Sequence, residues 1–171
     1  MAILPILEEP HPILKQKARE VTPEEFGAEL VKFLHDMTET MYDAPGVGLA
    51  APQVGDSRRI LVADPNNNED DAPRMIYHMV NPKIIDRSKE LITYEESCLS
   101  VPKFYLNVKR HLSITVEWKD GMGITYREVF EDFPAIVLQH EMDHLEGVTL
   151  LDKTSKLRRS QYLILQKRKS R

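Results

Sequence analysis

The chain has 171 residues, of which 42% are hydrophobic and 29% charged, and a net charge of −4. These values are typical of one soluble globular domain with a sizeable core, and they exclude disordered, collagen-like and membrane-spanning compositions. No apolar stretch approaches the roughly 20 residues of a bilayer-spanning helix, and the N-terminal residues do not resemble a signal peptide. The single cysteine, Cys98, excludes an internal disulfide. We therefore expect one domain over 1–171, located in the reducing cytoplasm and not in a membrane.

The first third of the chain predicts an extended segment, a helix and a loop. Residues 3–21 contain three prolines and are expected to be extended, with at most one helical turn at Leu14–Ala18. A Thr-x-x-Glu capping box at 22–25 predicts a helix that begins there and runs to about Tyr42 with one buried stripe. The glycine-rich, apolar stretch Gly46–Gly55 is expected to be a loop.

The remainder predicts strands followed by two helices. Strands are predicted at Arg59–Ala63, Tyr77–Ile85, Leu91–Tyr94, Leu112–Trp118 and Ile124–Phe130, the last two joined by a turn at Asp120-Gly121. Helices are expected at about Pro134–Leu145, closed by Gly147, and at Ser155–Lys169. This order of elements indicates an α+β fold, with antiparallel or mixed β-sheets around a central helix, an N-terminal helix and a C-terminal helix.

The predicted central helix contains the sequence His-Glu-Met-Asp-His at 140–144. On a helix, His140 and His144 lie one turn apart on the same face and can bind one metal ion. Glu141 is one position off that line, close enough to reach a water on the metal without being a ligand. The alternative is a pair of structural histidines. The apolar residues Ala135–Leu138 favour burial, where imidazoles need partners, and so favour a metal-binding helix.

A catalytic metal usually has three protein ligands and one open position, so a further ligand is needed. A carboxylate or the lone Cys98 can supply it. Cys98 lies directly after a predicted strand and before Pro102, where a rigid turn would present its sulfur. A single cysteine is also often a small buried hydrophobic residue, and its spacing from His140 does not decide between these alternatives. A thiolate ligand would favour a softer metal than an all-oxygen site does.

The stretch Gly46–Gln53 is a third feature of interest. Its glycines allow the backbone to approach another chain or a ligand closely, and Gln53 offers an amide donor that can polarise a carbonyl. The backbone N–H of Leu99, next to Cys98, is a second possible donor. No Gly-Lys-Ser/Thr sequence follows, which excludes a phosphate-binding loop. Taken alone, such a stretch is more often a tight turn than a functional site.

Three motifs in this order resemble the peptide deformylase family, which removes the formyl group from newly made bacterial proteins. The family pattern Gly-x-Gly-Leu-Ala-Ala-x-Gln matches Gly46–Gln53, Glu-Gly-Cys-Leu-Ser matches Glu96–Ser100, and His-Glu-x-x-His matches His140–His144. The proline-rich start is also similar, so the resemblance spans nearly the whole chain. The one departure is Ser97, where the family has glycine, and it concerns a backbone contact to substrate more than the metal.

The resemblance implies a metal-dependent hydrolase that acts on formyl-methionine of nascent polypeptides and releases formate. Its ligands would be Cys98, His140 and His144, which would hold iron(II) natively, with zinc, nickel or cobalt as substitutes. A water on the metal would attack the formyl carbon, with Glu141 as general base and then as acid toward the leaving amine. The side chain of Gln53 and the backbone N–H of Leu99 would stabilise the developing negative oxygen.

The resemblance also implies a cramped cavity that admits a formyl group and rejects a bulkier acyl group. The methionine side chain would enter an apolar pocket. Candidates close to the motifs are Val47, Gly48, Ile136 and Val137. An ordinary place in the core is an equally good interpretation of the apolar ones.

The C-terminal segment 153–171 is basic, with eight Lys and Arg residues and no Asp or Glu. A solvated terminal helix explains this charge, but so does a polyanionic partner. For an enzyme acting on nascent chains, we expect that partner to be ribosomal RNA near the ribosome exit. We expect a monomer, since no exposed heptad pattern is present.

Two other functions remain open at this point. The first is a zinc peptidase acting on ordinary peptides, although no third histidine or distal glutamate at peptidase spacing is evident. The second is a metal-stabilised protein that binds RNA through its basic segment and has no enzymatic activity.

Overall fold

A computed structural model of the chain describes residues 2–169. The strands are β1 (Gly48–Ala50), β2 (Ile60–Ala63), β3 (Tyr77–Arg87), β4 (Leu91–Cys98), β5 (Val101–His111), β6 (Ser113–Lys119) and β7 (Thr125–Glu131). The α-helices are α1 (Ala28–Asp43), α2 (Phe133–Leu145) and α3 (Lys156–Lys169). Short 3₁₀ turns lie at Pro12–Lys15, Pro23–Glu25, Ala51–Val54 and Leu150–Lys153.

The strands form a five-stranded sheet in the order β1-β2-β3-β6-β7 and a separate hairpin of β4 and β5. Every strand pair in both sheets is antiparallel. Helix α2 packs against strands of both sheets, while α1 covers β1 and β2. The expected α+β fold with a central helix and a helix toward each end is confirmed, in its antiparallel form.

Helix α2 is central because its first part, residues 133–138, is apolar on every side. A helix of that kind is stable only when it is surrounded by other elements. Its residues Ala135 to Leu138 are at most 4% exposed and lie among side chains from the large sheet. The histidines of the next turn are therefore carried into the interior, where the two sheets meet.

Two expectations about the N-terminal half need correction. The helix predicted to begin at the capping box is instead a 3₁₀ turn, in which the Thr22 N–H donates to Glu25 Oε1 at 2.9 Å. Gly27, with φ of 139°, separates this turn from α1. The stretch predicted as the loop Gly46–Gly55 contains β1, which pairs with β2, and the 3₁₀ turn Ala51–Val54.

The hairpin of β4 and β5 is also longer than the sequence suggests. The strand expected at Leu91–Tyr94 continues to Cys98, and β5 was not expected at all. Pro102 lies inside β5 near its beginning, a strand position where proline is tolerated. The turn between the strands is short, since Cys98 pairs with Val101.

Within residues 2–169, none of the helices combines the length and the apolarity needed to cross a membrane.

Candidate functional site

Three potential metal ligands converge where α2 meets the β4–β5 hairpin. Cys98 is the last residue of β4, and His140 and His144 face it from α2. One donor atom from each lies within 4.8 Å of the other two. The Cys98 Sγ and His144 Nε2 atoms are 3.4 Å apart. Among residues 2–169, this is the one group of three or more Cys, His, Asp and Glu side chains with such geometry.

The donor set fits a divalent metal ion. A thiolate with two imidazoles suits soft and borderline metals and leaves one position of a tetrahedral site open. His140 Nδ1 lies 2.9 Å from Glu96 Oε1, so the carboxylate accepts the Nδ1 proton and leaves the Nε2 lone pair free for an ion. The structure thus brings Cys98 together with the histidine pair, as the resemblance implied.

A buried ion-pair network orients this histidine. Arg110 donates from Nε and Nη2 to the two oxygens of Glu96, each at 2.8 Å, and from Nη1 to Asp143 Oδ2 at 2.6 Å. Burial alone would raise the pKa of Glu96, but hydrogen bonds from Arg110 and His140 hold it below its ordinary value. The ionised carboxylate therefore fixes the tautomer of the imidazole.

Glu141 lies beside the ligands, only 4% exposed, and its Oε1 atom has no hydrogen-bond partner among the described residues. Burial raises the pKa of this carboxyl to about 7. A carboxyl group with a free oxygen in such surroundings can take up and release a proton near neutral pH.

Gln53 is held from both ends of its amide. Its Oε1 accepts the Ala50 N–H at 2.9 Å, while its Nε2 donates to Ser100 Oγ at 3.0 Å and lies 3.7 Å from Cys98 Sγ. The side chain is 1% exposed, so its orientation is fixed. Leu99, in the turn after Cys98, borders the same space.

These groups open onto a cleft of about 570 Å³. The predicted site residues on its wall are Val47, Gly48, Gln53, Cys98, Leu99, Ile136, Val137, His140 and Glu141. Val137 also belongs to the main hydrophobic core, so it lines the cleft and packs in the core at the same time. A Cβ atom on Gly48 would lie 2.6 Å from Glu141 Oε2, and this close approach explains the need for glycine there.

Another part of the cleft wall was not expected from the sequence. It consists mainly of residues on β4, β5 and the start of α2, namely Tyr94, Pro102, Lys103, Tyr105 and Phe133. Pro102, Lys103 and Tyr105 were missed because β5 was not predicted, whereas Tyr94 and Phe133 lie on or beside predicted elements and were not recognised as part of the site. Four of the five are aromatic or proline, a composition that a longer predicted hairpin would have indicated as a binding surface.

Comparison with known proteins identifies the family. A family model described as polypeptide deformylase matches residues 3–160. The chain belongs to the peptide deformylase family. A peptide deformylase of Zymomonas mobilis is 43% identical over 100% of this chain and 98% of its own length, and one of Erythrobacter litoralis is 42% identical over 95% of each.

Solved deformylase structures share the fold. The peptide deformylase of Ehrlichia chaffeensis in complex with actinonin superposes with a TM-score of 0.91 at 35% identity, covering 100% of this chain and 99% of that one. A class I type b peptide deformylase from Acinetobacter baumannii with bound Met-Ala-Ser gives 0.82 at 38% identity, covering 90% and 99%.

The enzyme is thus a metal-dependent hydrolase that removes the N-terminal formyl group from formyl-methionine of nascent polypeptides. The family, the fold and the substrate class expected from the three motifs are confirmed.

Proposed function

We propose that Cys98, His140 and His144 hold one divalent ion, iron(II) in the native enzyme, and that the reaction takes place in the cleft beside them. The observation that carries this proposal is the convergence of the three donor atoms within 4.8 Å. When bound, the ion polarises the formyl oxygen and makes a water molecule more acidic. Zinc, nickel or cobalt can occupy the same donors in purified protein, because thiolate and imidazole bind all of them.

Glu141 moves the protons of the reaction. Its Oε1 takes a proton from the attacking water as the new carbon–oxygen bond forms at the formyl carbon. It then delivers that proton to the amine nitrogen as the carbon–nitrogen bond breaks, so the products are formate and a free N-terminus. The support for this role is the unpartnered, buried oxygen next to the ligands.

Gln53 and Leu99 stabilise the negative charge that develops on the formyl oxygen. The Gln53 Nε2 atom is already aimed at this region by its bond to Ser100 Oγ, so little reorganisation is needed at the moment of reaction. The backbone N–H of Leu99 supplies the second donor from the turn after Cys98.

The cleft also accounts for the selection of substrate. A formyl carbon carries only hydrogen, so a narrow space beside Glu141 and Gly48 admits it and rejects larger acyl groups. Val47, Ile136 and Val137 give the methionine side chain an apolar wall. Binding of Met-Ala-Ser and of actinonin by the relatives from Acinetobacter and Ehrlichia supports a peptide site in the same place.

Formate release tests these assignments. Formyl-Met-Ala-Ser is incubated anaerobically with enzyme loaded with iron(II) or nickel(II). We expect Glu141→Gln to lower kcat by about 10²- to 10⁴-fold, the range for a general acid–base group, while one metal per chain is retained. Full activity of this variant would refute the role of Glu141. Peptide cleavage without formate release would instead indicate a peptidase. The absence of both products would indicate a binding protein. Metal analysis of anaerobically purified enzyme tests whether the native ion is iron(II).

The basic helix α3 supports the proposed contact with ribosomal RNA. Two of the cations in this segment form ion pairs within the protein. Lys153 Nζ, just before α3, lies 3.3 Å from Asp143 Oδ2, and Arg159 Nη2 lies 3.8 Å from Asp152 Oδ1. Toward the end of α3, Lys167, Arg168 and Lys169 are exposed and can bind phosphate groups. We expect charge reversal at these three positions to weaken ribosome co-sedimentation at low salt, and added salt to weaken it steeply in the wild type. Unchanged co-sedimentation would refute this partner.

A monomeric state and a cytoplasmic location stay predictions. The first is tested by light scattering on the purified enzyme and the second by fractionation of cells. A stable dimer in the first experiment would refute the monomer.

A further inference from the structure

One wall of the cleft is the beginning of β5. Pro102, Lys103 and Tyr105 line the same space as Glu141, and the strand begins at Val101, the register partner of Cys98. Residues 102–105 lie between the register pairs Glu96–Leu106 and Cys98–Val101, so four residues of β5 stand opposite one residue of β4 and bulge out of the ladder. This bulge forms a wall of the cleft that contains Cys98, His140 and Glu141.

The shape of this wall is not a relaxed one. Lys103 has φ of 61°, in the left-handed region that is unfavourable for a residue with a side chain. Such a conformation persists only where the surrounding structure determines it. The contacts that determine it come from α3.

Helix α3 binds the backbone on both sides of Lys103. The Tyr162 hydroxyl donates to the Pro102 carbonyl oxygen at 2.8 Å. The Arg158 Nη2 atom donates to the Tyr105 carbonyl oxygen at 2.6 Å, and the same guanidinium lies 4.6 Å from the centre of the Phe104 ring.

The packing beneath these bonds is apolar and dense. Phe104 is 4% exposed, and its ring lies edge-on to Tyr162 at 5.4 Å. It belongs to a cluster with Val101 and with Leu150 and Leu151, from the turn before α3. Phe104 lies between the two residues whose carbonyl groups accept hydrogen bonds from α3, and its side chain thus anchors the wall to that helix.

We propose that Arg158 and Tyr162 are positioning residues for substrate binding. They hold the wall from Pro102 to Tyr105 in the form that receives the peptide residues following formyl-methionine. Helix α3 thereby sets the affinity for nascent chains and leaves the hydrolytic step unaffected. The inference rests on the proposed function only in taking the cleft as the peptide site.

The test compares two substrates, formyl-Met-Ala-Ser and formyl-Met amide, on metal-loaded enzyme. For Tyr162→Phe and for Arg158→Ala, we expect KM for the tripeptide to rise about three- to tenfold, the effect of one lost hydrogen bond. We expect kcat, and both constants for the amide, to stay unchanged. Arg158→Lys, which keeps a donor, should recover part of the affinity. Gln161→Ala, at an exposed position of the same helix, is the matched control.

Different outcomes separate this inference from the proposed function. Equal changes in KM for both substrates, a change confined to kcat, or no change would overturn the positioning role. A merely structural role would lower the melting temperature and the active fraction for both substrates alike. If Arg158→Ala fails to fold, Tyr162→Phe alone carries the test. Failure of the proposed function is recognised separately, by full activity of Glu141→Gln.

Discussion

Replacement of Gly48 by alanine tests how closely Glu141, the proposed general base, is held. The added Cβ atom would lie 2.6 Å from Glu141 Oε2 and 2.8 Å from its Cγ, whereas ordinary contacts begin at 3.4 Å. The carboxylate must therefore move by about 0.8 Å, and a misplacement of about 1 Å at a reacting group can cost about 10²-fold in rate. We expect kcat to fall about 100-fold, which corresponds to about 2.7 kcal/mol of transition-state stabilisation.

The assay is steady-state formate release, with metal content and thermal unfolding measured on the same sample. Gly121→Ala is the matched control, because its Cβ atom would meet Val31 Cγ2 at 2.8 Å, far from the metal ligands, on the side of α1. We expect this control to lose stability but to keep its kcat. In a Glu141→Ala background, which lacks Cγ and the carboxylate, the overlap is removed, so Gly48→Ala should cost much less there. A fully metallated Gly48→Ala enzyme within twofold of the wild-type kcat would refute the reasoning.

Two further substitutions test the surroundings of the site. Ser100→Ala removes the hydroxyl that accepts a hydrogen bond from Gln53 Nε2 at 3.0 Å. Because this one hydrogen bond orients the donor, we expect kcat for formyl-Met-Ala-Ser to fall about tenfold with KM nearly unchanged. A change in KM alone would contradict this expectation. Lys15→Met leaves the carboxylate of Glu9, whose side chain is 1% exposed, without its cation, and should cost about 3–5 kcal/mol. Calorimetry should show a fall of about 10 °C or more in Tm, whereas Lys17→Met, at an exposed pair 4.0 Å long, should leave Tm nearly unchanged.

The sequence was most informative where a pattern is local. His140 and His144 are four residues apart on an apolar helix, and that spacing alone predicts a shared face. The buried stripe of α1 and the strands with regular alternation were predicted on the same basis. In each case the interaction that determines the structure lies within one or two turns of the residue concerned.

Interactions between distant parts of the chain were not predictable in this way. Glu96 and Arg110 pair across the hairpin, 14 residues apart, and a buried arginine in β5 conceals the alternation that defines a strand. Pro102 obscured the beginning of the same strand. The first helix begins late because Gly27 adopts a positive φ, which the capping pattern alone does not indicate.

Part of the site was recognised only through the family resemblance. The spacing of Cys98 and His140 in the sequence left the third ligand open, because β4, the turn and α2 must first be folded together. Gln53 was similarly ambiguous until β1 and its 3₁₀ turn placed the amide beside the sulfur, at 3.7 Å.

The most direct test of the metal centre is X-ray absorption at the zinc edge of enzyme loaded with one zinc ion per chain. If Cys98 and the two histidines are the ligands, the spectrum should show one sulfur at about 2.3 Å together with nitrogen or oxygen neighbours at about 2.0–2.1 Å. In Cys98→Ser the sulfur signal should disappear. A wild-type spectrum with no sulfur neighbour would contradict the assignment on which the proposed reaction depends.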